Sequence, residues 1–192
     1  MSNPVRVLVL CTGNSARSQI AEALLQTRGA QRPGRRVEAA SAGSRPAPRV
    51  NPFAVETLAA HGIAWEGRVP QSIEALGNAP FDLVITVCDN ARDACPFYAG
   101  GTVQVHWGLP DPADHEEPAA ARAAFAATYA ALDARVQALL ALPLEQLAPA
   151  ALAAAATAIH AAAEADRNAY LRRCSANAES GSAAASSSSA AR

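Results

Sequence analysis

The stretch from Val7 to Ser18 constrains this chain more than any other. A short apolar run, Val7-Leu8-Val9-Leu10, ends on Cys11, and Thr12-Gly13-Asn14-Ser15-Ala16-Arg17-Ser18 passes directly into Gln19-Ile20-Ala21-Glu22-Ala23-Leu24-Leu25. The first part is β-branched and apolar without strict alternation, which predicts a strand buried on both faces, as in parallel sheets covered by helices. The last part carries Ile20, Leu24 and Leu25 at helical spacing and meets a stop signal at Gly29. Between them lies a loop too short for anything but a tight turn. Gly13 permits backbone angles that other residues resist, and Asn14 is among the few that tolerate the left-handed region.

Such a loop captures anions. Backbone N–H groups between a strand end and a helix start have no ladder or helical partners, so they can converge on an oxyanion. Arg17 adds a planar fork of donors matched to two oxygens of a tetrahedral anion. The same positive surroundings, with the Ser18 hydroxyl as a donor, favour the thiolate form of Cys11. Residues 12 to 18 are therefore the expected oxyanion-binding set and Cys11 the expected nucleophile. Cys-x5-Arg alone occurs often by chance; its placement between strand and helix is what carries the assignment.

The rest of the chain reads as alternating strands and helices. Val37 to Ser41 is a second predicted strand, followed by a loop punctuated by Pro46 and Pro48. Asn51 caps a helix with Pro52 in its first turn, Phe53, Val55 and Leu58 towards the core, and Gly62 at its end. Phe81 to Cys88 is a strong strand pattern and Val103 to His106 a shorter one, with Pro110 and Pro112 in the Trp107 to Pro112 segment arguing against regular structure there. From Ala119, the spacing of Phe125, Tyr129, Leu132, Val136 and Leu139 marks a long amphipathic helix, with Glu116 and Glu117 at the positive end of its dipole. The expectation is an α/β fold over residues 1–145, with a mostly parallel sheet. Residues 146–174 are alanine-rich, helical by propensity with little apolar surface to bury. Residues 175–192 are nearly all Ser, Ala and Gly, a composition expected to remain disordered.

With 192 residues the chain is long enough for one well-buried domain plus extra material. A net charge of −1 gives no general reason for nucleic-acid binding or for attraction to an anionic membrane. All 16 basic residues are arginine, which excludes a nucleotide-binding Walker loop, because that loop needs a lysine. No basic leader and no long apolar segment is seen, so the expected location is cytoplasmic. In that reducing compartment the four cysteines, Cys11, Cys88, Cys95 and Cys174, are expected to serve catalysis, redox chemistry or metal binding rather than structural disulfides. The separation of Cys88 and Cys95 does not match zinc spacing, and no paired histidines accompany it, so no metal site is expected. Cys174 reads as a bystander. His61 and His160 are placed on helix surfaces and His106 beside Trp107, none with a role.

Cys11 to Ser18 after a strand resembles the phosphate-binding loop of the low-molecular-weight protein tyrosine phosphatase fold, and Asp111-Pro112 resembles that family's general acid. The resemblance covers about the first 140 residues, a domain of ordinary size, and implies a small three-layer domain around a central four-stranded sheet flanked by helices. Within the fold, Cys88-Asp-Asn-Ala-Arg-Asp-Ala-Cys95-Pro96 is similar to the redox segment of thioredoxin-coupled arsenate reductases, as is His106 to Pro112 to their acid-bearing segment. Phosphatases of this fold place aromatic residues after the Asp-Pro, where this chain has Ala113 and Asp114.

That resemblance implies reduction of arsenate to arsenite for arsenic detoxification. Cys11 attacks arsenic, Asp111 gives its proton to the departing oxygen, Cys88 attacks Cys11 to release arsenite, and Cys95 passes the disulfide on to an external thiol protein. The relay requires the segment from Asp89 to Phe97 to rearrange. The implied reductant is thioredoxin, with glutaredoxin or mycothiol systems as alternatives and no tightly bound cofactor. Two other readings are a phosphatase on the same scaffold and an arsenite-binding thiol protein using Cys11, Cys88 and Cys95. The second would be expected to carry a basic DNA-contacting helix pair, which the chain lacks.

Overall fold

The computed structural model describes residues 3–34, 36–88 and 98–187, without the side chains of residues 88 and 174–187. The elements run β1 (Val5–Cys11), α1 (Arg17–Gly29), β2 (Val37–Gly43), α2 (Pro52–Ala60), β3 (Phe81–Cys88), β4 (Gly101–Leu109), α3 (Pro118–Leu140) and α4 (Pro149–Ser187), with 3-10 turns at Glu74–Leu76 and Pro112–Asp114. The four strands form one sheet in the order β2-β1-β3-β4, and every neighbouring pair is parallel. This is the α/β arrangement expected from the alternation of strand and helix patterns.

β1 is an inner strand, and each of its faces is buried. Val5, Val7, Val9 and Cys11 join Ile20 and Leu24 of α1 and Phe125, Leu132 and Val136 of α3 in the larger cluster. Leu8 and Leu10 join Val84, Phe81, Tyr98 and Ile73 on the other face. The continuous apolar run is therefore two interleaved sets with period two, one for each face. In α2 the inner face is taken by Ala54, Thr57 and Leu58. Phe53 and Val55, expected in the core, are only partly buried beside it, and Phe53 meets the Phe125 ring at 5.8 Å between centroids.

β4 is longer than its sequence suggested, because the prolines at 110 and 112 begin only after the strand has reached Leu109. Trp107 is fully buried and donates its indole N–H to the carbonyl of Ala156 in α4 at 2.9 Å. α4 is thus docked. Leu152 and Ala156 are buried in the main core, and Arg135 of α3, itself buried, donates to Glu164 at 2.7 Å and to His160 Nδ1 at 3.2 Å. The alanine-rich segment carries few large side chains, and its small ones let the helix approach β4 closely enough for this contact. The helix also continues to Ser187, past residue 175 where a disordered tail was expected to start, in keeping with alanine's propensity. His61, placed on a helix surface by its spacing, stacks on the Tyr129 ring at 3.7 Å.

Candidate active site

β1 delivers Cys11 to the C-terminal edge of the sheet, where parallel α/β folds open their ligand crevices. The ladder with β2 runs through Cys11 opposite Gly43, so the loop that follows lies against the chain leaving β2. Four backbone bonds fasten the two. Ser44 donates to the carbonyl of Cys11 at 3.2 Å, Arg45 to Thr12 at 2.9 Å, Ala47 to Gly13 at 2.8 Å and Asn51 to Ser15 at 2.9 Å. Because C=O and N–H point oppositely across a planar trans peptide, turning these carbonyls outward turns the following N–H groups inward. The Asn14 N–H shows this, donating to Cys11 Sγ at 3.0 Å.

Gly43 is required by this fit. A Cβ there would stand 2.5 Å from the Thr12 carbonyl oxygen and 2.9 Å from the Asn14 nitrogen. Asn14 adopts φ of 46°, the left-handed conformation anticipated for it. It is fully buried, and its whole amide is engaged. Nδ2 donates to Ser18 Oγ at 3.0 Å and Ser41 Oγ at 2.7 Å, while Oδ1 accepts from the Gln71 N–H at 2.9 Å and from Gln19 Nε2 at 3.2 Å. Gln19 is held in turn by the Trp65 indole, which donates to Oε1 at 2.7 Å.

This arrangement determines where the Ser18 proton goes. Ser18 Oγ lies 2.9 Å from Cys11 Sγ and accepts from Asn14, and towards a thiolate, which can only accept, its own hydrogen is the one that points at the sulfur. Cys11, 4% exposed, thus receives an O–H and an N–H donor, and both favour the thiolate. Behind Asn14 the network continues as Ser41 Oγ donating to Glu22 Oε2 at 2.6 Å, with Gln26 Nε2 on Oε1 at 2.9 Å and Arg68 at 3.8 Å. Burial raises the Glu22 carboxyl above its ordinary range, opposed by the Ser41 hydrogen bond and the Arg68 charge. Gln19, Glu22, Ser41, Gly43 and Gln71 support the loop and were not singled out from sequence. The available signal was Gln19 and Glu22 themselves, polar side chains three residues apart on the first turns of the helix.

Arg17 is buried at the start of α1 and reaches across the site. Nη1 donates to the Leu109 carbonyl at 2.7 Å and Nη2 to Asp111 Oδ2 at 2.5 Å. Two of the donors of its fork are therefore shared between β4 and the carboxylate. Asp111 also caps the following 3-10 turn, its Oδ1 accepting from the Ala113 N–H at 3.1 Å. Between these parts is a cavity of about 80 Å³, lined by Cys11, Gly13, Ser15, Ala16 and Arg17, with Asn51, Asp111 and Ala113 closing it. None of the described lining residues is aromatic. A larger, mostly apolar cavity of about 240 Å³ lies on the other side of Asp111, between α3 and Arg167 of α4, with no cysteine among its described lining residues.

The structure brings Cys11, residues 12 to 18 and Asp111 together. Cys88 ends β3, adjacent to β1, with Thr86 opposite Leu10. The strand that ends on Cys88 is thus the immediate neighbour of the one that ends on Cys11, at the same carboxyl edge of the sheet, and joining the two sulfurs requires the end of β3 to shift. The Cys88 side chain, Cys95 and the rest of the segment from 89 to 97 lie outside the described residues, as does the Cys174 side chain. Among the described residues no group of His, Cys, Asp and Glu is arranged to hold a metal ion, and no helix is long and apolar enough to cross a membrane.

Comparison with known proteins places this geometry among relatives. The family described as low molecular weight phosphotyrosine protein phosphatase matches residues 6–151, ending just inside α4. An arsenate reductase of Brevibacillus brevis is 37% identical over 118 residues, which cover 62% of this chain and 84% of that protein. A solved arsenate reductase in the phosphate binding state aligns with a TM-score of 0.60 at 27% identity, covering 71% of this chain and 97% of that one. The thioredoxin-dependent arsenate reductase of Corynebacterium glutamicum aligns with a TM-score of 0.50 at 31% identity, covering 71% of this chain and 60% of that one.

Proposed function

Since the chain belongs to the low molecular weight phosphotyrosine protein phosphatase family, we propose that it uses the shared anion loop to reduce arsenate to arsenite. The observation that carries this reading is the position of two cysteines at the ends of adjacent parallel strands, Cys11 on β1 and Cys88 on β3, beside a cavity sized for a small oxyanion with no aromatic side chain among its described lining residues. A phosphatase needs only the first cysteine. The arsenate reductases among its relatives support the same choice.

In the proposed reaction, arsenate occupies the cavity against the inward N–H groups and Arg17. The Cys11 thiolate forms a sulfur–arsenic bond as an oxygen departs, taking a proton from Asp111, because expelling hydroxide or oxide unaided is slow. Cys88, as thiolate, then attacks Cys11 Sγ. A disulfide forms, the sulfur–arsenic bond breaks, and its electron pair leaves with arsenic as arsenite. Cys95 attacks Cys88, returning the Cys11 thiolate and leaving a Cys88–Cys95 disulfide for an external dithiol to reduce. Thioredoxin is the proposed reductant, and arsenic detoxification in the cytoplasm the proposed setting. The segment from 89 to 97 must move during the relay, since Cys88 meets two partners in turn.

Arsenate-dependent NADPH consumption with thioredoxin and its reductase tests the proposal. Wild type consumes NADPH; Cys11→Ser and Cys88→Ser do not; Cys95→Ser completes one turnover and accumulates a Cys11–Cys88 disulfide, detected by mass mapping. Multiple turnover by Cys95→Ser would sink the relay. Hydrolysis of p-nitrophenyl phosphate far exceeding arsenate reduction would favour the phosphatase reading instead.

A further inference from the structure

The charge balance at the active site leaves substrate capture unexplained. Among the described residues that line the cavity Arg17 is the cation, but Asp111 is already bound to it, and the Cys11 thiolate adds a negative charge. The acid loop and the approach to α3 contribute Asp114, Glu116 and Glu117. Arsenate, itself a mono- or dianion, is thus drawn to a centre whose formal charge, counted over the described residues, is zero or negative. The inward N–H groups act as dipoles, strong in contact and weak at a distance.

The segment that fastens the anion loop carries the missing charge. Between Ser44 and Asn51 it contains Arg45 and Arg49 and no carboxylate. Both arginines are exposed, and neither forms an ion pair among the described residues, although eight other arginines do. Both are tied to the loop through the main chain: the Arg45 N–H donates to the Thr12 carbonyl at 2.9 Å, and the Arg49 carbonyl accepts from Ser15 Oγ at 2.9 Å. Ser15 lines the cavity. The two guanidinium groups are therefore carried on backbone in direct contact with the rim, while their side chains are not used to hold it.

Building on the proposed arsenate chemistry, we infer that Arg45 and Arg49 form a cationic collar that captures the oxyanion substrate and guides it to the loop. Their effect is long-range and screened by salt. One positive charge about 10 Å from a dianion in water raises its local concentration about two- to fourfold at low ionic strength, and the effect fades as the Debye length shortens. The collar thus acts on kcat/KM and not on kcat, because it is a property of the encounter and not of the bound state.

The test is the double variant R45Q/R49Q, with R45K/R49K as the charge-preserving control. In low-salt buffer, kcat/KM for arsenate falls about fivefold in the glutamine variant, the gap closes to below twofold at high salt, and the lysine variant stays near wild type. A second readout does not depend on turnover: the rate at which Cys11, followed on its own peptide, is alkylated by iodoacetate relative to iodoacetamide. The anionic reagent slows about two- to threefold in the glutamine variant, and the neutral one keeps its rate. Equal iodoacetate rates in the wild type and the glutamine variant overturn the collar even where arsenate is reduced. A wild type that does not reduce arsenate but shows the iodoacetate effect overturns the functional reading and leaves the collar standing.

Discussion

Ser18 illustrates how much of the chemistry rests on single hydrogen atoms. Asn14 donates to the Ser18 hydroxyl, and against the Cys11 thiolate, a pure acceptor, Ser18 supplies the proton of the 2.9 Å contact. Ser18→Ala removes this donor, and a hydrogen bond to a charged group contributes about 1.5–3 kcal/mol. Alkylation of Cys11 by iodoacetamide at neutral pH is expected to slow at least about tenfold, with the fold unchanged by circular dichroism. Gly43→Ala acts on the same loop sterically. Its new Cβ would meet the Thr12 carbonyl and the Asn14 amide, both backbone, so the loop must shift, at a cost of about 1–3 kcal/mol. Urea unfolding reads that loss, and oxyanion binding weakens with it.

Glu22 gives a pH dependence whose sign follows from its surroundings. Its carboxyl is raised by burial, so the folded state binds that proton more tightly than the unfolded chain does. The contribution of this group to stability is therefore greatest below the unfolded value and is lost as pH rises through the folded one. Comparing wild type with Glu22→Gln by urea unfolding, the stability of wild type relative to the variant is expected to be higher at pH 4 than at pH 7. An unchanged difference would show that Glu22 does not titrate in the way its burial implies. Gln19, Glu22 and Ser41 were not legible as site residues, because nothing in a linear sequence marks which polar side chains of different elements converge on one amide.

At the scale of elements, periodicity was a good guide and the connections between elements were not. β1, α1, β3 and α3 follow from apolar spacing, and Asn51 and Glu117 act as caps that accept from Phe53 and Ala120. The loop from Ser44 to Asn51 read only as proline-punctuated. Its function as the strap that turns the anion loop's carbonyls outward depends on contacts made across some thirty residues. Likewise, residues 146–174 read only as an alanine-rich helix with little apolar surface to bury. Its docking rests on the pair Arg135–Glu164, whose side chains are 3% and 23% exposed. Glu164→Ala leaves a buried arginine uncompensated and is expected to cost about 3 kcal/mol. Glu56→Ala breaks the pair with Arg122, 57% exposed on the arginine side, and is expected to cost below about 1 kcal/mol. Chemical denaturation of both variants checks the contrast.

The molecule as a whole couples its extension to its catalytic edge. Trp107, held by Ala156 of α4, lies two residues before the Leu109 carbonyl that receives Arg17 and four before Asp111. A chain ending at residue 147 would expose Trp107 and the buried contacts of Leu152 and Ala156, so it is expected to unfold at a markedly lower temperature than the full chain, as differential scanning calorimetry would show. By itself the sequence determined the alternation of strand and helix, the placement of Cys11 and Arg17 around a tight loop, and the left-handed turn at Asn14, because these depend on local spacing and on the conformational limits of single residues. Only the tertiary structure decided that Arg17 is shared with Asp111, that Ser41 and Glu22 stand behind the loop, and that α4 belongs to the core. Those are contacts between residues far apart in the chain, and they exist only once the parallel sheet has brought its carboxyl ends to a common edge.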